Sequence, residues 1–165
     1  MSTTEELLRD WYRRLRFAQF VHYEAAKMFE RLNYWLGIPI VVLSTFVGTS
    51  VFANIGKLID TRVQISIGLI SVSAATLASL QTFLKFSERA ERHRIAASKY
   101  GALRREVEEI LATADDLTQE TITPLRQKID RLAEEAPHVP DKIWAKRKNV
   151  LKEDRDNLVG LPRDK

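Results

Sequence analysis

The chain contains 165 residues, of which 29% are charged, and carries a formal net charge of +4. Its length favours a single domain. The sequence has no cysteine, which excludes a disulfide framework and thiolate-based metal or redox chemistry. A net positive charge suits either an anionic membrane surface or a nucleic acid, so the distribution of charge along the chain has to distinguish these two classes.

The first predicted element is an amphipathic helix over residues 5–31, with apolar positions at helical spacing and Thr4 as a suitable N-cap. Its opposite face is basic and comprises Arg9, Arg13, Arg14, Arg16, Lys27 and Arg31. That face lacks the aromatic interleaving of a nucleic-acid-binding helix, so we expect a solvated surface and no nucleic-acid partner. The first residues also lack the basic-then-apolar order of a cleaved signal, so we expect none to be removed.

Two uncharged stretches, 32–56 and 63–84, dominate the middle of the chain. Each reaches the roughly 20 residues that a helix needs to cross about 30 Å of hydrocarbon. The charges between them are Lys57, Asp60 and Arg62, in a connection with room only for a turn. The sequence therefore predicts an all-α membrane protein: a two-helix transmembrane hairpin with long helices extending into a cytoplasmic helical bundle.

The first span begins with aromatic residues and a proline. Tyr34 and Trp35 fall at the expected depth of the lipid headgroups. Pro39, two residues after Gly37, cannot donate a hydrogen bond to the carbonyl of Trp35, which predicts a kink at these residues. A stripe of mostly small residues continues from Gly37 through Val41, Ser44, Gly48 and Val51. Such a stripe packs against the second span of the same hairpin or, alternatively, faces another subunit or a pore.

The second span carries a more polar stripe. At about 100° per residue, six small or polar residues project to one side of the helix. They are Gln64, Gly68, Ser71, Ala75, Ser79 and Thr82. This stripe either packs helices together or lines a wet path once several copies assemble. Neither span has an ionisable residue at depth, which argues against a pump or secondary transporter and leaves a passive pore or a scaffold.

Basic residues flank the outer ends of the two spans far more densely than they flank the turn. Arg13, Arg14, Arg16, Lys27 and Arg31 precede the first span, and Lys85, Arg89, Arg92, Arg94 and Lys99 follow the second. The turn has only Lys57 and Arg62. The positive-inside rule then places both termini in the cytoplasm.

After the second span we expect the helix to continue unbroken as a cytoplasmic helix over 85–113. The turn-prone stretch 114–118 ends it, and shorter helices are predicted over 118–136 and 141–152. We assign residues 1–152 to one domain and expect the tail, 153–165, to be disordered.

The sequence offers no convincing catalytic or metal site. His22 has no second metal ligand three or four residues away, and His93 between Arg92 and Arg94 is interpreted as part of a basic cluster. Glycine-rich phosphate loops and nucleophile elbows are absent from the sequence. We therefore expect a protein that is not an enzyme and that has no catalytic residues, no cofactor and no metal.

Three segments together resemble the SLATT domain, the two-transmembrane effector domain that associates with SMODS-type nucleotidyltransferases and SLOG sensors in bacterial conflict systems. The segments are 31–52 at the first span, 86–108 after the second, and 137–144. The resemblance implies a homo-oligomeric, pore-forming effector in the bacterial inner membrane. On this view, a sensor or nucleotidyltransferase partner protein, or a nucleotide second messenger, triggers it to breach the membrane of an infected cell and block phage propagation.

The trigger has to reach the chain from outside, because the sequence has no nucleotide-binding motif. A basic set after the second span is the candidate contact for a nucleotide or an anionic lipid, with a plain solvated surface as the alternative. It comprises Arg92, His93, Arg94, Lys99, Arg104 and Arg105.

Two other interpretations of the whole chain stay open. In one, the hairpin only anchors a helical scaffold that recruits a partner protein to the membrane. In the other, the hairpin stays buried inside a soluble bundle until a trigger releases it.

Overall fold

The computed structural model describes residues 3–56, 60–113 and 119–143. These residues form four helices and contain no strand, which confirms the predicted all-α class. The helices are α1 (Thr3–Ala53), α2 (Thr61–Leu84), α3 (Phe86–Thr113) and α4 (Gln119–Glu135). Residues 141–143, the start of the helix predicted over 141–152, are helical. The predicted break at 114–118, the rest of that last helix and the tail expected to be disordered lie outside the described residues.

Contacts divide the chain into two units. The bundle unit contains described residues 3–26, 91–113 and 119–143, and the hairpin unit contains described residues 27–56 and 60–90. The predicted extent of the single domain, 1–152, stays a prediction.

Helix α1 is continuous through the predicted N-terminal helix and the first span. Glu5 and Glu6 lie in its first turn, where acidic side chains stabilise the helix dipole. Pro39 lies inside α1 without ending it, and the kink predicted at Gly37 and Pro39 stays a prediction. After Ala53 the backbone turns, and Gly56 adopts a φ of 76°, a conformation that favours glycine.

Helix α2 begins at a capped turn and ends abruptly. The Asp60 carboxylate accepts a hydrogen bond from the backbone N–H of Arg62 at 2.8 Å. At the other end Lys85 adopts a left-handed φ of 48°, its N–H bonds to Gln81, and its carbonyl accepts from Arg89. The expectation of an unbroken helix from the second span was therefore wrong, because the left-handed backbone of Lys85 separates α2 from α3.

The hairpin unit joins α1 to α2 through aliphatic residues at three- and four-residue spacing, all half-buried except the buried Ala74. They are Leu36, Ile40, Leu43 and Val47 on α1, and Ile67, Ile70, Ala74 and Leu77 on α2. At its open end the rings of Phe29 and Phe86 stack at 6.2 Å, and the Arg89 guanidinium lies 6.0 Å from the Phe29 ring centroid. Most other side chains of both spans are exposed, as expected for helices that face lipid.

The bundle unit packs α1, α3 and α4 around one apolar core. The core side chains are Leu8 and Leu15 from α1, Tyr100, Leu103 and Val107 from α3, and Leu125 and Leu132 from α4. Burial of each such side chain contributes on the order of 2 kcal/mol to the free energy of unfolding. Two ion pairs, Lys99 with Glu135 and Lys128 with Glu106, link α3 to α4 across the rim of this core.

Candidate functional site

The polar stripe of the second span lies on the outside of the hairpin. All six of its predicted members, Gln64, Gly68, Ser71, Ala75, Ser79 and Thr82, are exposed. Helix α2 presents a different face to α1, centred on the buried Ala74. The stripe is therefore available to a neighbour in the membrane, and what it contacts there stays a prediction.

The small residues of the first span divide between the hairpin seam and the outer surface. Gly37 faces α2, since a Cβ at this position would lie 3.2 Å from Nε2 of Gln81. Ser44 is exposed, and a Cβ at Gly48 would meet no atom within 4 Å. Only Gly37 of these three thus serves close packing inside the hairpin.

An amide pair that the stripes did not predict links the two spans. Gln81 Nε2 donates a hydrogen bond to Asn33 Oδ1 at 3.4 Å, and both side chains are half-buried. Interhelical polar contacts of this kind contribute on the order of 1 kcal/mol in lipid. One asparagine and one glutamine at the same end of the hairpin were the available sequence signal.

Hydroxyl groups of the spans bond to their own helices. Ser79 donates to the Ala75 carbonyl at 2.9 Å, and Thr82 donates to the Ala78 carbonyl at 3.0 Å. Ser73 and Thr76 bond in the same way to residues four positions earlier. Because the donors of Ser79 and Thr82 are satisfied within α2, these two stripe residues can lie in hydrocarbon before any assembly.

The predicted basic set on α3 does not form one surface. Residues 92 and 94 project about 160° apart around a helix. Arg94 pairs with Glu91 at 3.0 Å and Lys99 with Glu135 at 3.1 Å. Arg104 Nε lies 4.0 Å from Glu108, and Arg105 is exposed. The arginines and Lys99 are thus distributed around α3, and mostly engaged by neighbouring carboxylates.

His93 departs from the predicted surface cluster because it is buried. Its side chain is 2% exposed, and its Nδ1 lies 3.0 Å from Nδ1 of His22, which is 5% exposed. The His22 ring also stacks on Tyr100 with a centroid distance of 5.3 Å. The spacing of residues along α1 does not indicate this partner of His22, because the two histidines are 71 residues apart.

Burial sets the protonation of this cluster. Burial, followed by repulsion from His93, lowers the pKa of His22 from 6.5 to about 4. Burial likewise lowers the pKa of His93 and raises that of Tyr100. An Nδ1 that carries a proton donates a hydrogen bond, and an Nδ1 without a proton accepts one. The short contact therefore requires two neutral rings, one protonated on Nδ1 and the other on Nε2.

A family model described as SMODS and SLOG-associating 2TM effector domain family 4 matches residues 4–158. The chain belongs to the SLATT family. Comparisons with curated proteins and with solved structures gave no match. The SLATT assignment agrees with the two helices of the structure that are long and apolar enough to cross a membrane. The chain is thus a membrane protein with a two-transmembrane effector domain.

Within the described ranges, this SLATT chain has no group of three or more His, Cys, Asp or Glu side chains suited to a metal ion. The features that stand out are the exposed polar stripe on α2 and the buried histidine pair between α1 and α3. The stripe lies in the spans that define the family, so it is the candidate functional site.

Proposed function

We propose that this SLATT chain is a homo-oligomeric, pore-forming effector of a bacterial antiphage system. It permeabilises the inner membrane when a partner protein or a nucleotide signal triggers it. The observation that carries the proposal is the outward position of the α2 stripe, whose six residues are exposed although they are the least apolar face of the span.

The dimensions of the stripe support a membrane-spanning wall. From Gln64 to Thr82 a helix rises about 27 Å, close to the thickness of the hydrocarbon. Gly68 and Ala75 allow a neighbouring backbone to approach closely, while Ser71 and Ser79 present oxygens at two depths. A ring of such helices would enclose a polar path without fixed charge, which suits passive leakage.

The proposed topology places both termini in the cytoplasm, with the spans in the bacterial inner membrane. It is supported by the larger number of basic residues beside the outer ends of the spans than in the turn. The trigger then acts from the cytoplasm on the bundle unit. The family description, which associates the domain with SMODS and SLOG proteins, supports a sensor or nucleotidyltransferase partner, or its nucleotide product, as that trigger.

Ion leakage from vesicles containing the purified chain tests the pore. Replacing Ser71 or Ser79 with leucine is expected to abolish leakage while insertion is retained. Ser73→Leu is the matched control, because Ser73 is an exposed serine of the same helix outside the stripe. Unchanged leakage in both stripe variants, or equal loss in the Ser73 control, would assign the pore to another surface.

A second candidate is a membrane-anchored scaffold that recruits a partner without forming a pore. The observation that favours it is the bonding of Ser79 and Thr82 to their own backbone, since hydroxyls satisfied in this way can face lipid without a partner helix. The scaffold predicts that function survives when the hairpin is exchanged for an unrelated one. A pore-forming chain would lose its toxicity in that exchange. In both proposed functions, the pore and the scaffold, the protein is not an enzyme.

A further inference from the structure

An open groove of about 560 Å³ runs along α1 where the first span begins. Its lining comprises Lys27, Arg31, Tyr34, Trp35, Ile38 and Pro39, together with Glu30. The groove lies wholly in the hairpin unit. The proposed pore does not use it.

The polarity of the groove changes in one direction along the helix. The cations at Lys27 and Arg31 come first, the aromatic rings of Tyr34 and Trp35 follow, and Ile38 is apolar. Trp35 is 74% exposed and Tyr34 is 58% exposed, so both rings are open to a ligand. A phospholipid has the same order of phosphate, glycerol and acyl chain, and aromatic rings favour the glycerol depth.

Charge in the groove matches a single phosphodiester. Lys27 and Arg31 contribute two positive charges and Glu30 one negative charge, which leaves a net +1. Lys27 and Glu30 have other interactions in the chain, so Arg31 is the principal phosphate ligand. Its planar guanidinium can donate two parallel hydrogen bonds to phosphate oxygens.

We propose that this groove binds one acidic phospholipid with a single phosphodiester, of the phosphatidylglycerol kind. The phosphate lies on Arg31, the glycerol backbone lies beside the Trp35 ring, and the upper acyl chain lies along Ile38. The inference requires the first span to be in the membrane and does not depend on pore formation.

Quenching of tryptophan fluorescence by brominated lipids tests this site in the full chain. The chain is reconstituted in phosphatidylcholine vesicles that contain a small fraction of brominated phosphatidylglycerol or, separately, brominated phosphatidylcholine. About fivefold less of the acidic lipid is expected to give the same quenching, since one arginine near a membrane contributes about 1 kcal/mol. Trp35→Phe should remove this preferentially quenched emission.

Two arginine variants separate the groove from a general effect of positive charge. Arg31→Gln is expected to bring the two lipids to equal quenching, while Arg13→Gln, an exposed arginine of α1 outside the groove, should keep the preference. Equal quenching by both lipids in the unaltered chain overturns the proposal, as does a preference that survives Arg31→Gln. Quenching by neither lipid also overturns it, because a second copy or another protein then covers Trp35.

Discussion

The Nδ1 atoms of His22 and His93 lie 3.0 Å apart in the interior of the bundle unit. Helix α1 supplies one ring and α3 the other, and Tyr100, about two turns after His93 on α3, stacks on His22. Small residues surround the pair along both helices, among them Ala25, Ala26, Ala96 and Ala97. The contact holds only while at least one Nδ1 lacks a proton, so the packing of α1 on α3 depends on pH.

Acidification is expected to destabilise the bundle unit through this pair. The pKa of His22 is lowered to about 4 in the folded chain, against 6.5 when unperturbed, so the unfolded state binds more protons between these values. The stabilisation is complete above about pH 6.5 and is lost as the pH falls towards 4. The loss is about 2 kcal/mol, which allows for partial screening of the charge by solvent. Tyr100, with a raised pKa, stays neutral throughout.

Thermal unfolding of the full chain in detergent, followed by circular dichroism at pH 7 and pH 5, measures this effect. His22→Gln combined with His93→Gln removes both titrating rings and should reduce the fall in midpoint. His138→Gln is the control, since His138 is exposed. A midpoint that falls equally in the double variant and the unaltered chain would assign the pH dependence to other groups.

Gly101 of α3 lies close to α1 in the bundle unit. A Cβ here would lie 2.7 Å from Nε2 of Gln19, so Gly101→Ala forces the amide aside at about 1 kcal/mol or more. The gain in helix propensity, about 1 kcal/mol, offsets most of this cost. We therefore expect Gly101→Ala to be nearly neutral alone and to stabilise by about 1 kcal/mol in a Gln19→Ala background. Equal effects in both backgrounds, measured by thermal unfolding, would contradict the predicted contact.

The Asn33–Gln81 pair is expected to stabilise the hairpin. Asn33→Leu leaves the Gln81 amide without its partner and should cost about 1 kcal/mol. Adding Gln81→Leu should recover part of that loss, because no half-buried amide is then left unbonded. Steric trapping of the hairpin in bicelles would measure the free energies of unfolding of the unaltered chain, of Asn33→Leu and Gln81→Leu alone, and of the double variant. Additive losses in the double variant would mean that the two amides act independently.

A substitution at Gly68 can distinguish folding of the hairpin from assembly of several copies. Nothing within 4 Å would meet a Cβ at Gly68, so Gly68→Leu should leave the hairpin intact. If copies pack along the α2 stripe, the larger side chain prevents their close approach and lowers the oligomeric state. Cross-linking in native membranes would show this loss, whereas Ser66→Leu, on the opposite side of α2, should retain the oligomer. Equal cross-linking of both variants would locate the contact elsewhere.

The membrane hairpin could be predicted because its signal is local. The two spans have no charged residue, and the intervening Lys57, Asp60 and Arg62 mark the turn. Sequence periodicity also identified the exposed α2 stripe, yet it could not decide which face of α2 packs on α1. The fit of larger aliphatic side chains around Ala74 determined that face.

Features that depend on distant or unusual backbone geometry were not predicted. The His22–His93 contact joins residues 71 positions apart in the chain, so no spacing within one helix indicates it. A lysine disfavours a positive φ, so the residue type at position 85 did not indicate a break between α2 and α3. Both features follow from packing of whole helices.

The hydroxyl protons of Ser79 and Thr82 are directed at carbonyls of their own helix. Each side chain therefore offers only oxygen lone pairs to whatever lies outside α2. In the proposed pore such a lining would be electronegative without bearing a formal charge. It would hydrate and pass potassium more readily than chloride, and the sign of the reversal potential across a salt gradient would reveal that preference.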